Sequence, residues 1–194
     1  MITATANLEN DHVHILKLID VMERITQRSE INVAHLENIV DLIRNFADGL
    51  HHAKEEQMLF PKMVEKGFSF EQGPVSVMMR DHEEGRAFVK GMANAIAQYK
   101  SGNQGVLEEL FMNMKGYIDL LRAHIAKENN VLFRMADRAF SEEEQKLLLS
   151  QFKRVEFNPI CGGVVNDCIA QINNLALVYL EHPIISILQE RQHR

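Results

Sequence analysis

The chain has 194 residues, enough for one sizeable core or at most two small ones, and its 46% hydrophobic and 25% charged residues are those of an ordinary globular protein. A net charge of −6 without a Lys/Arg block argues against a nucleic-acid footprint and against docking on an anionic membrane surface. The opening MITATANLENDH has neither a basic nor an apolar signal region and no apolar run reaches membrane length, which predicts a cytoplasmic protein.

Four prolines, no Trp and an abundance of Leu, Ile, Ala, Met, Glu and Lys favour helices over sheet. In chain order, Leu8, Ile15, Leu16, Ile19 and Met22 fall at helical spacing, and TQRSEIN closes this first helix. A second stripe runs through Leu36, Val40, Ile43, Ala47 and Leu50 and carries on through HHAKEEQMLFP to about Val64. After the loop EKGFSFEQGP, Gly73-Pro74 starts a third helix with Val75, Met78, Met79, Val89, Met92 and Ile96 on one stripe. SGNQG separates it from a fourth, carrying Leu107, Leu110, Met114, Tyr117, Leu121 and Val131. Ser141 and Glu144 fit a capping box that opens a shorter fifth helix.

Long helices with short connections predict an all-α, up-down-up-down four-helix bundle over residues 1–140. Residues 141–194 are expected to form a C-terminal helical extension that packs on the bundle or mediates a homodimer. Within it NPICGG interrupts any helix, and an apolar stretch then runs to Glu181-His182-Pro183. Cys161 and Cys168, seven apart, match neither a zinc spacing nor a disulfide framework.

The histidines carry the chemistry. His12, His51, His82 and His124 each interrupt the apolar stripe of one of the four long helices. Glu55 and Glu128 follow His51 and His124 by four residues, so each projects from the same face about 6 Å along the axis. A lone stripe histidine is usually a satisfied core residue, and a single His-x-x-x-Glu pair is a common surface spacing. Here the pattern is doubled: HHAKEEQMLF (51–60) is echoed by HIAKENNVLF (124–133), and Asp11-His12 by Asp81-His82. Helices one and two are thus repeated by helices three and four around a pseudo-twofold. Two buried acids in equivalent contexts ask for a shared cation. Imidazole and carboxylate suit iron, zinc or copper, and two ions bridged by carboxylates with open positions point to redox-active iron.

Other polar residues are weaker candidates. His52 is rotated by about 100° from His51 and reaches an ion only from the edge of the face. Tyr117 lies two turns before His124 and is expected as a ligand, a hydrogen bonder or simply core. Glu56, Glu83 and Glu84 read as a solvated face, and His14, His35, His182 and His193 lack any partner pattern. Met58, Leu59, Phe60, Leu132 and Phe133 are expected to wall the site from water.

Together, DHVHI, HHAKEEQMLFP, DHEEGR and HIAKENNVLF, spread over about Leu8 to Arg138, resemble the hemerythrin-like family, the HHE cation-binding domain. The resemblance implies a non-heme centre of two iron ions, oxo- or hydroxo- and carboxylate-bridged, with His12, His51, Glu55, His82, His124 and Glu128 as metal ligands. Oxygen-carrying members have a further histidine where this chain has Arg86, and an Asp where it has Asn129. Four His and two Glu resemble instead the bacterial members linked to nitrosative stress, iron-sulfur repair or peroxide handling. The implied partner is a small diatomic molecule, O2 or NO, or a peroxide. An alternative is an O2/NO sensor acting on a partner through the tail from Phe157 onward, and a third is a metal-free bundle with buried His–Glu hydrogen bonds.

Overall fold

The computed structural model describes residues 3–156 and 163–181. Cys161, His182, Pro183, His193 and most of the NPICGG interruption lie outside the described residues. Those described are all-α. The first helix, α1, is Ala4–Thr26, capped by the Thr3 side chain on the Ala6 amide. The second, α2 (33–65), starts at the Asn32 cap and changes pitch along its length: α-helical at Val33–Leu42, π-helical at Ile43–His52 and Glu55–Leu59, α-helical again at Phe60–Glu65. Gly73, at φ 80°, and Pro74 launch α3 (Pro74–Lys100), because glycine tolerates that φ and proline needs no amide partner at a helix start. A 3₁₀ turn at Gln104–Val106 leads into α4 (107–139), which is π-helical at Glu128–Leu132. The expected capping box closes on Ser141, whose Oγ accepts from the Glu144 amide at 3.3 Å while Glu144 Oε2 accepts from the Ser141 amide at 2.9 Å. It opens α5 (Glu142–Glu156), and α6 is Gly163–Tyr179.

Side-chain pairings fix the topology, since residue numbers rise on one helix as they fall on its neighbour. Asn7 meets Lys54 and Asp11 meets His51 between α1 and α2; Asp48 meets Arg86 and Glu37 meets Lys100 between α2 and α3. Between α4 and α1, Arg134 pairs with Glu9 and Arg122 with Asp20 and Glu23. With α3 antiparallel to α4, Asp81 meeting His124 and Gly91 lying against Asn113, the four helices run up-down-up-down. On the outside, α5 lies along α1 and the 55–59 segment, and α6 lies on α1 and α2. Cys168, Ile172, Leu175, Ala176 and Tyr179 join the main core from α6.

The buried apolar residues form two clusters. The larger includes Ile15, Ile19, Phe46, Leu50, Met92, Met114 and Leu121. The smaller gathers Leu8, Leu59, Phe60, Met63, Met78, Leu132 and Phe133. His12, His51, His52, Glu55, His82, His124 and Glu128, all buried, lie on the same four helices as both clusters. No helix among the described residues is long and apolar enough to cross a membrane.

Candidate metal centre

The π-helical segments carry four of the ligand candidates, His51, His52, Glu55 and Glu128. The Phe60 amide donates to the Glu55 carbonyl and the Phe133 amide to the Glu128 carbonyl, each five residues back, so both halves widen at the same point of the repeat. The Ala53 amide likewise reaches the Asp48 carbonyl. A wider turn rotates less per residue than an α-turn, and such insertions are frequent at functional sites. Its consequence here is that His51 and His52, consecutive in sequence, both face inward, 1% and 5% exposed.

Two ligand groups result. His12, His51, Glu55 and Glu128 form one, and His52, Glu55, His82 and His124 the other, with the donor atoms of each within 4.8 Å of one another. The Nε2 atoms of His12 and His51 face each other at 3.0 Å, those of His82 and His124 at 3.2 Å. Both carboxylates span the groups. Glu55 Oε2 lies 3.6 Å from His51 Nε2 and 3.5 Å from His82 Nε2. Glu128 sets Oε2 3.2 Å from His12 Nε2 and Oε1 3.2 Å from His124 Nε2. The structure therefore brings together all six residues picked from the repeat, and adds His52.

Every inward imidazole is held by its other nitrogen. His51 Nδ1 and His124 Nδ1 lie 3.3 and 3.2 Å from the carboxylates of Asp11 and Asp81, the residues preceding His12 and His82. His12 Nδ1 meets Asn129 Oδ1 at 2.7 Å and His82 Nδ1 meets Glu56 Oε1 at 2.7 Å, the two partners following Glu128 and Glu55 in sequence. His52 Nδ1 lies 3.3 Å from Asp48 Oδ1. Such partners fix the ring and the tautomer and leave Nε2 free to bind. Glu56 thus corrects the sequence reading: it is a support of His82, not a solvated face. Arg86, at the position where oxygen carriers have a histidine, bonds both Asp48 (2.9 Å) and Glu56 (2.6 Å) and so ties together the supports of His52 and His82.

Phe133 stacks on His12 with centroids 5.6 Å apart, and Phe60 on His82 at 5.9 Å, a further pair from the repeat. Leu59 and Leu132 are buried beside them, whereas Met58 is half-buried. Tyr117 is buried but belongs to neither ligand group; it lines a cavity of about 170 Å³ with Arg44, His52, His82, Arg86 and Leu121. His14 and His35 lie elsewhere, His35 bonded to the Tyr179 hydroxyl at 2.8 Å.

The residues fit a metal pair on their own chemistry. All four oxygens of Glu55 and Glu128 are buried and accept no hydrogen bond, an arrangement that is costly unless cations satisfy them. Without cations, protons redistribute. Burial and the neighbouring Glu128 push the Glu55 carboxyl well above its ordinary range. Burial also opposes charge on Glu128, but the cationic His124, with His12 alongside, holds it well below that range. Burial works against a proton on His124, yet Glu128 and Asp81 raise it to about 9. Burial beside His12 lowers His51 to about 4. Five imidazoles and two carboxylates are a nitrogen–oxygen donor set suited to iron, zinc or copper rather than to calcium or magnesium.

The family model described as the hemerythrin HHE cation binding domain matches residues 3–136. Among curated relatives, the uncharacterized protein Rv1995 of Mycobacterium tuberculosis is 24% identical over 136 residues, covering 68% of this chain and 52% of that protein. The iron-sulfur cluster repair protein YtfE of Escherichia coli O1:K1 is 33% identical over 86 residues, 43% of this chain and 39% of that protein. The protein of the same name from Salmonella paratyphi B is 34% identical over 86 residues, with the same coverage. The chain spans about half the length, or less, of the curated relatives it matches. No solved structure matches it significantly. The doubled His/Glu pattern, its convergence inside a four-helix bundle and the match over most of the sequence lead to one conclusion: the chain belongs to the hemerythrin HHE cation-binding family.

Proposed function

We propose that this chain is a non-heme di-iron protein that binds or reacts with O2, NO or peroxide in stress defence, iron handling or iron–sulfur repair. The observation that carries the reading is the pair of buried carboxylates, unpaired by hydrogen bonds, that span two groups of imidazole nitrogens. His12 and His51 would hold one ion, His52, His82 and His124 the other, and Glu55 and Glu128 would bridge them. Two bound irons supply a redox couple and coordination positions for a small exogenous ligand.

The chain's own residues do the rest. Asp11, Asp48, Glu56, Asp81 and Asn129 keep the imidazoles in the binding tautomer. Phe60 and Phe133 exclude water from one side. The cavity beside Arg44, Gly85, Arg86 and Tyr117 gives a molecule of a few heavy atoms a path to His52 and His82. Similarity over 43% of this chain to an iron-sulfur cluster repair protein supports a repair-type role within this class.

The test is metal content with spectroscopy. Purified protein is expected to carry two irons per chain and near-ultraviolet charge-transfer absorption that shifts on exposure to O2, NO or peroxide. Protein that contains no iron and takes up none anaerobically overturns the reading.

A further inference from the structure

Lys54 follows His51 by three residues and is completely buried. Its three ammonium protons are all accounted for, by Asn7 Oδ1 at 3.0 Å, Asp11 Oδ2 at 2.9 Å and Glu156 Oε1 at 2.5 Å. Asn7 Nδ2 also donates to Glu156 Oε1, at 3.2 Å, and the Phe152 ring lies 5.7 Å from the ammonium. Glu156 and Phe152 both come from α5, outside the 3–136 region shared with the family. The oxygen of Asp11 that accepts from Lys54 is the same Oδ2 that faces His51 Nδ1 at 3.3 Å.

The other half of the repeat provides an internal comparison. Lys127 follows His124 by three residues and pairs with Asp81, the support of His124. Its side chain is 42% exposed, and among the described residues Asp81 is the one carboxylate it pairs with. There, water can solvate the ammonium and spare the aspartate. Around Lys54 there is no such solvent, because α5 covers it. An ammonium sharing a single buried carboxylate with an imidazole would draw that carboxylate to itself. A second carboxylate relieves the competition.

We propose that Glu156 is a positioning residue for the metal centre: by taking the charge of Lys54 it keeps Asp11 available to hold His51, so the C-terminal helix α5 forms part of the site's support. This rests on the reading of His51 as a metal ligand. The effect is confined to the His12–His51 group, because His52, His82 and His124 are supported by Asp48, Glu56 and Asp81.

The experiment is a cobalt(II) titration of the full chain, followed by ligand-field absorption, with urea unfolding of each metal-free protein alongside. Wild type is expected to bind two ions. Glu156→Gln is expected to weaken one of them about tenfold and leave the other unchanged. Glu156→Asp, which keeps the charge but retracts it, should fall between the two, and it carries the test if the Gln variant does not fold. In a Lys54→Met background, Glu156→Gln should cause no further loss, since the charge it neutralises is gone. Wild type that binds two ions, with both Glu156 variants binding them equally well, overturns this proposal alone, and a lower urea midpoint would then mark Glu156 as a tether of α5. Equal weakening of both ions overturns it too. Wild type that binds no cobalt overturns the metal reading and this proposal with it.

Discussion

Glu55 and Glu128 occupy equivalent places in the repeat, yet without metal they carry opposite protonation. Glu55 is held protonated by burial and by Glu128, whereas Glu128 stays ionised against the cationic His124. Glu55→Gln therefore replaces one neutral group by another and should change the metal-free stability by about 1 kcal/mol or less. Glu128→Gln strands a buried imidazolium and should cost about 3 kcal/mol. Urea unfolding of the two metal-free variants checks this, and equal losses would defeat it. The repeat selects His51, Glu55, His124 and Glu128, and Asp-His doublets add His12 and His82. His52 has no echo, because the corresponding residue is Ile125, so the repeat that reveals six ligand candidates also hides the seventh. In the structure His52 stacks on His82 with centroids 3.8 Å apart and joins that ligand group. Replacing it with Leu should weaken one bound ion by at least about tenfold, measured by cobalt titration; unchanged binding of both ions would return His52 to a packing role.

At the level of elements, helix existence and boundaries follow from apolar periodicity and end signals, and Thr26, Gly73-Pro74 and Ser141 all mark real ends. The π-helical segments are not legible that way. They have no residue signature, and a 3.6-residue period applied through them turns His52 to the edge of the face. Their positions become explicable only afterwards, from the inward-facing polar residues that they carry. The α3–α4 contact rests on another unobtrusive feature. A Cβ added at Gly116 would stand 2.5 Å from Phe88 Cε1, so the ring lies directly on the α4 backbone. Gly116→Ala should therefore destabilise the fold by roughly 1–3 kcal/mol despite the better helix propensity of alanine. The check is urea unfolding; a stability gain would mean that Phe88 has room to turn away.

For the molecule as a whole, protons and metal compete for one set of buried atoms. In the metal-free fold His124 keeps its proton up to about 9, against an ordinary 6.5, so its contribution to stability is complete below 6.5 and is lost as pH rises through about 9. His51 behaves in the opposite sense. Its folded value of about 4 lies below 6.5, so the unfolded chain takes up that proton first and stability declines as pH falls from 6.5 toward about 4. Metal ligation requires neutral imidazoles and ionised carboxylates. Loading at pH 7 must then expel the proton that His124 holds, and Glu55, its carboxyl pushed well above the ordinary range, adds to the release. Cobalt added to metal-free protein in weak buffer with an indicator dye measures this directly, and Glu55→Gln should reduce the release. Apparent affinity should climb with pH until His124 no longer holds a proton, near 9. Uptake of two ions with no proton release would show that the metal-free site carries its charges differently, with both glutamates ionised and His124 neutral.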